Sequence, residues 1–180
     1  TMPLVTHSRK ELHLKIVYYG PGLGGKTTNL EWIHSQSKPE NRGKLIALNT
    51  EAERTLFFDY CPITLGQLGG YRLRVHLFTV PGQSFYKATR AAVLQGADGV
   101  VFVADSSARR ESANLHSLRD LREQLAKQRA SDVPVVFQWN KRDVADALPL
   151  STLEASLNPG CAPSSEACAS QEQGVAFTQA

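Results

Sequence analysis

The chain has 180 residues, 42% of them apolar, and 20 basic against 17 acidic side chains give a formal charge of +3. That size suits one compact domain spanning 1–180, since two domains would each be too small to bury much. So mild a charge, with no basic arm or tract, excludes nucleic acid as an expected partner. Arg109, Arg110, Arg119, Arg122, Lys127 and Arg129 do crowd one segment, which reads as the solvated face of a helix. Three cysteines at scattered spacing, Cys61, Cys161 and Cys168, argue against a disulfide framework and for a reducing cytoplasm. The five histidines form no pair at metal-ligand spacing, so a zinc site made of protein groups alone is not expected. The longest apolar run, 99–104, is too short to span a bilayer. Neither end carries a signal pattern, a myristoylation glycine or a prenylation box, so no membrane anchor is expected.

Along the chain, apolar runs alternate with amphipathic stretches, the pattern of a largely parallel sheet covered by helices. Residues 14–19 read as a buried strand, followed by a glycine-rich turn and a helix over about 25–35. A short strand at 44–48 precedes another at 63–68, which meets a strand at 71–80 across the hairpin signal Gly69-Gly70. Residues 84–95 read as a helix that Gly96 stops. A second buried strand covers 98–104, and Ser107 is placed to cap the long helix after it, with Leu115, Leu118, Leu121 and Leu125 at helical spacing. A third buried strand covers 133–139 and a short helix 150–157. The last strand, around 165–168, is weakly marked, and 173–175 resembles the start of a final helix that the sequence does not complete. The reading is an α/β three-layer sandwich with a mostly parallel sheet of about six strands and one antiparallel hairpin strand.

Two motifs carry chemistry. Residues 20–27, GPGLGGKT, match the phosphate-loop pattern in full and lie between a buried strand and a helix. Its glycines let backbone N–H groups converge on phosphates at the positive end of the helix. Gly20, Gly22, Leu23, Gly24, Gly25, Lys26, Thr27 and Thr28 are the candidate phosphate-binding residues. Lys26 is expected to reach the β- and γ-phosphates, and the Thr27 hydroxyl to ligate Mg²⁺. At the end of the third buried strand stands NKRD, 140–143. The Asp143 carboxylate can accept two hydrogen bonds from the N1–H and exocyclic amine of guanine, a donor pair that adenine lacks. Asn140 would tie this loop to the phosphate loop, and the Lys141 stem would lie over the base. Near the C-terminus, 166–170 (EACAS) resembles the short E-x-S-A-K element that supplies a backbone N–H to guanine O6, which makes Cys168 and Ala169 candidates, although Cys168 and Ser170 depart from that pattern.

Together these elements resemble the Ras-like small GTPases of the P-loop NTPase class. The closer likeness is to the bacterial MglA type, the polarity and gliding-motility switches of that superfamily. It is carried by KIVYYGPG at 15–22, GKTTNL at 25–30, TEAERTLFFD at 50–59, TVPGQ at 79–83, DGVVFVAD at 98–105 and NKRD at 140–143. The resemblance implies a GTP- and GDP-binding cytoplasmic switch that hydrolyses GTP slowly with Mg²⁺. It also implies a homodimeric roadblock-fold activator of the MglB type and effectors in polarity or motility. Thr55 would join Thr27 on Mg²⁺ and sense the γ-phosphate. Arg54 would be an arginine finger supplied in cis, a device worth ~10³–10⁵ in rate. Gln83, after Gly82, would orient the attacking water. Most relatives carry aspartate where this chain has Thr79, a substitution that MglA-type proteins share and that hints at weaker Mg²⁺ retention. Gly24 is placed where added bulk impairs hydrolysis.

Three readings follow. The leading one is a regulatory GTPase whose segments around 51–59 and 82–86 order on GTP and relax after hydrolysis. The second is a GTP-binding scaffold that barely hydrolyses. The third, a P-loop kinase, calls for an arginine-rich lid and a second substrate site that the sequence does not show.

Overall fold

The computed structural model describes residues 4–48, 58–82, 87–171 and 173–175. In chain order the elements are β1 (Leu4–Thr6), β2 (Glu11–Tyr19), α1 (Lys26–Gln36), β3 (Ile46–Leu48), β4 (Phe58–Leu68) and β5 (Tyr71–Thr79). There follow α2 (Lys87–Leu94), β6 (Gly99–Asp105), α3 (Glu111–Lys127), β7 (Val135–Asn140), α4 (Leu150–Leu157) and β8 (Ser164–Glu166). The fully apolar run of β6 is buried at every position, as a strand covered on both faces must be. The sheet runs β3-β4-β5-β2-β6-β7-β8, with β1 pairing antiparallel against the start of β2. Strands β5, β2, β6, β7 and β8 are parallel, while β3 and β4 run against their neighbours.

Alternation along β2 sends Val17 and Tyr19 to one face and Tyr18 to the other. The first face packs against Val93 and Leu94 of α2, Leu118, Leu121 and Leu125 of α3, and Leu153 and Leu157 of α4. The second packs against Leu30 and Ile33 of α1. These layers form the expected three-layer sandwich. No helix among the described residues is long and apolar enough to cross a membrane.

The structure differs from the expectation in five places, each for a local reason. The described sheet has eight strands rather than about six: β1, a three-residue piece too short to show a period, is added, and the weakly marked last strand stands at Ser164–Glu166 as β8. Strand β4 begins at Phe58, ahead of the expected 63, and runs through Pro62. Gly43 N–H donates to the Pro62 carbonyl at 2.8 Å. A strand residue's N–H and C=O share a side, so the proline's missing donor faces the stretch beyond the end of β3 and costs no ladder bond. Ser107 does not cap α3, because a 3₁₀ turn over Ala108–Arg110 intervenes and the Ser107 hydroxyl donates to Asp146 instead, at 2.7 Å. Leu115 faces solvent, and its expected place on the buried stripe is taken by Asn114, whose amide clasps both backbone groups of Asp105. No helix starts within 173–175, where Gln173 bridges to Cys168 and Gly174 has φ +74°.

One polar cluster lies on the sheet itself. His13 and His76 stack with ring centroids 5.2 Å apart and share a 2.9 Å hydrogen bond, while Tyr60 bonds the other nitrogen of His76 at 2.8 Å. Glu11 faces His13 at 3.5 Å and binds Arg74 at 2.9 Å. Burial pushes the His76 imidazole below the ordinary histidine range, helped by the charges of His13 and Arg74. The unfolded chain therefore takes up a proton near the ordinary value of about 6.5 while the folded chain does not. The stability that this depressed group contributes is complete above that value and is lost as the pH falls toward its folded pKa. Thermal melting followed from pH 7.5 to 5.5 should show a falling midpoint across this window, with a shallower slope in His76→Gln.

Candidate nucleotide-binding site

Strand β2 lies in the middle of the sheet and delivers the phosphate loop at its C-terminal end, directly before α1. The loop lines a cleft of about 970 Å³ that also takes in Phe58, Asp59, Thr79–Gly82, Arg90, Arg110 and one side of α3. Close approach requires glycine at several of these positions, Gly25 and Gly82 among them. Gly25, at φ +96°, leaves no room for a Cβ beside the Asn140 amide, and a Cβ on Gly82 would run into the Gly22 backbone. A Cβ at Gly24 would stand 3.1 Å from Pro21 O and 3.4 Å from Val103 O, so the loop's own backbone and β6 fill that side.

The loop is held by its carbonyls. Asn140 Nδ2 donates to Gly24 O at 2.9 Å, Arg110 Nη2 to Gly22 O at 2.6 Å, and Lys26 Nζ to Gly20 O at 3.0 Å and Pro21 O at 2.7 Å. Lys26 is buried, and its ammonium is pushed down to about 8, first by desolvation. Asp59 opposes this shift, while Arg90 and Arg110 add to it. A site that gathers three cations beside a glycine-rich loop suits a polyanion.

Thr27 and Thr79 do not stand alone. The Asp59 carboxylate, second in β4, accepts from Thr27 Oγ1 at 2.6 Å and from Thr79 Oγ1 at 2.8 Å, while Asp59 N–H donates back to Thr79 Oγ1 at 2.9 Å. A neutral threonine at 79 therefore comes with a carboxylate from the adjacent antiparallel strand. This all-oxygen donor set, one carboxylate with two hydroxyls, has the chemistry that Mg²⁺ prefers. No group of three His, Cys, Asp or Glu side chains among the described residues could hold a metal by itself.

The base end forms where β7 stops. Asn140 is buried, and its Oδ1 accepts the Ala169 N–H at 2.9 Å while its Nδ2 holds the phosphate loop. Lys141 adopts φ +61° and its Nζ binds Asp105 at 2.7 Å. Asp143 is exposed, with Gln171 Nε2 at 3.3 Å. The Cys168 N–H goes to Gln173 O at 2.9 Å, so in this structure Cys168 and Ala169 brace the loop through their N–H groups. Arg54, Thr55 and Gln83 lie outside the described residues. Sequence reasoning did not single out Asp59, Asp105, Arg90 or Arg110 as site residues. Arg90 is buried against Asp120 at 2.7 Å. Asp105 ends a strand as the last residue of DGVVFVAD, a position where a carboxylate among apolar neighbours could have drawn notice.

The model of the ADP-ribosylation factor family matches residues 4–160. The chain belongs to that family of small GTPases, proteins that bind guanine nucleotides. It is also 48% identical over 176 residues to the mutual gliding-motility protein MglA of Myxococcus xanthus (strain DK1622), covering 97% of this chain and 90% of that protein.

Because the Asn140 amide is buried and serves two loops, Asn140→Ala leaves Gly24 O and Ala169 N–H without their partner. A buried group so orphaned costs about 1–3 kcal/mol. Chemical denaturation of the variant should show a loss of at least that order together with weakened guanine-nucleotide binding.

Proposed function

We propose that this chain is a GTP-hydrolysing molecular switch, slow on its own, acting in cell polarity or gliding motility. The observation that carries the reading is that the phosphate loop shares a cleft with the Thr27–Asp59–Thr79 oxygen cluster and is bonded through Gly24 O to Asn140, the first residue of the NKRD loop. In this reading Gly20, Gly22, Leu23, Gly24, Gly25, Lys26, Thr27, Thr28 and Gly82 surround the phosphates. Lys26 leaves its carbonyl partners for the β- and γ-phosphates. Asp143 selects guanine, the Lys141 stem covers it, and Cys168 and Ala169 close the far side of the base. The Thr27 hydroxyl and Thr55 would hold Mg²⁺, with Asp59 and Thr79 orienting its outer ligands. When bound, the ion would neutralise charge on the β- and γ-phosphates. Arg54 would stabilise the transferring phosphoryl group and Gln83 would orient the water.

The process assignment rests on similarity to the Myxococcus xanthus gliding-motility protein. The roadblock-fold homodimer as activator, polarity or motility effectors and a cytoplasmic setting follow from the family resemblance alone.

Turnover with Mg²⁺ tests the reading directly. GTP should be cleaved and ATP not, and Arg54→Ala and Gln83→Leu should each abolish cleavage while sparing GTP binding. Tight GTP binding with no turnover, unaltered by either substitution and by an MglB-like partner, would replace the enzyme with a GTP-dependent scaffold. The carboxylate has its own test. Asp59→Asn should raise the Mg²⁺ concentration needed to slow GDP release by ~10–100-fold, the usual cost of losing a group that orients a metal's ligands.

A further inference from the structure

Arg110 belongs to the basic segment that reads as a solvated helix face, yet it behaves unlike its neighbours. Arg109, Arg119, Arg122, Lys127 and Arg129 are exposed. Arg110 instead turns back from the start of α3 into the cleft and donates Nη2–H to Gly22 O at 2.6 Å. Its Nε lies 3.8 Å from Asp105, the same carboxylate that binds Lys141 Nζ at 2.7 Å. Asp105 is itself fixed, since Asn114 bonds both of its backbone groups and the Ser107 N–H bonds its other carboxylate oxygen at 3.1 Å. The guanidinium thus hangs from a rigid strand end and reaches the phosphate loop from the α3 side of the cleft.

The contact has a directional consequence. None of the described peptide bonds is cis. In a trans peptide the carbonyl and the following N–H point in opposite directions. A cation holding Gly22 O on one side therefore aims the Leu23 N–H to the other. Leu23 is a non-glycine residue at φ +62°, a left-handed conformation that such residues hold only where the surroundings impose it. The residue is 88% exposed, so side-chain packing cannot be what imposes it.

We propose that Arg110 is a positioning residue for nucleotide binding, a latch on the Gly22–Leu23 peptide that keeps the Leu23 N–H turned into the phosphate cradle. The inference rests on the nucleotide-binding reading above and deepens it. Arg110 acts through the loop and not on the phosphates, so its effect is the same for every nucleotide that fills the cradle past its first phosphate. The arrangement also joins the two ends of the site, because Asp105 serves both the latch and the lysine of the base loop.

The test is release of a fluorescent GDP analogue and competition by GTP, with wild type, Arg110→Ala, Arg110→Lys and Arg109→Ala. Wild type must bind first; failure there would sink the nucleotide reading and the latch with it. Given binding, Arg110→Ala should weaken GDP and GTP alike by about tenfold, the worth of one charge-assisted hydrogen bond. The loss should lie in faster release, with the melting midpoint of the nucleotide-free protein unmoved. Arg110→Lys, which keeps a donor on a long stem, should recover most of the loss, and Arg109→Ala should match wild type. Unchanged affinity in Arg110→Ala overturns the latch. So does a loss confined to GTP, which would put the guanidinium on the third phosphate, or an equal loss in Arg109→Ala, which would make it a general field effect. Should Arg110→Ala fail to fold, Arg110→Met keeps the aliphatic stem and carries the same expectations.

Discussion

Everything in the cleft depends on the Asn140 side chain, an amide sealed from water whose two ends are used on two different loops. Its nitrogen holds the carbonyl of Gly24 and its oxygen the N–H of Ala169, each at 2.9 Å. A buried amide can serve in this way only if both partners come to it at once, since either one left alone pays a full desolvation cost. The requirement propagates outward. Gly25 must lack a side chain to let the amide in. Strand β7 must pair with β6 through Asp105↔Asn140 to put it at the right height. The loop over 168–170 must close under β7, which the parallel pairing of β8 arranges. The phosphate-loop motif and the NKRD loop are thus one mechanical unit.

The second constraint is electrostatic. Many related sites place a carboxylate on the strand that leads to the glycine facing the phosphate loop. Here that strand ends in Thr79, and the carboxylate arrives from Asp59 on the antiparallel neighbour, joined by a pair of bonds in opposite senses. The negative charge beside Thr79 thus comes from the neighbouring strand. This ties the oxygen cluster to the beginning of β4, next to the segment 49–57 that contains Arg54 and Thr55. A carboxylate carried there must move with β4, whereas one on β5 would stay with the parallel core. Any displacement of β4 along β5 would then reach Thr27 directly.

How much was legible in the sequence follows from the same physics. The phosphate loop, the NKRD loop and the buried strands announce themselves, because glycines at close approaches and continuous apolar runs are consequences of local geometry. Helix α4 was read to the residue, and β2, β6 and β7 to within three. Pro62 concealed the first half of β4, since whether a strand tolerates proline depends on which side its missing donor faces, a fact of pairing and not of sequence. Asp59 was hidden for a related reason. Its partners lie 32 and 20 residues away, and only the tertiary fold brings them within 3 Å, Thr79 through the antiparallel pairing of β4 with β5 and Thr27 from the start of α1. Leu115 and Asn114 exchanged roles because an apolar stripe counts faces without knowing that a polar residue can be required to clasp a strand end.

Arg110 marks the far limit of such reading. Six basic residues in one segment look alike to composition, and five of them are indeed solvent-facing. What singles out the sixth is a 3₁₀ turn between β6 and α3, which rotates the helix start by enough to aim one side chain at a backbone carbonyl. The same turn prevents Ser107 from capping the helix and frees its hydroxyl for Asp146. A lost cap, a redirected serine and a latched phosphate loop are therefore three results of one short departure from α-helical geometry. The irregularity matters because it re-aims side chains that a helix continued from Ser107 would have pointed elsewhere.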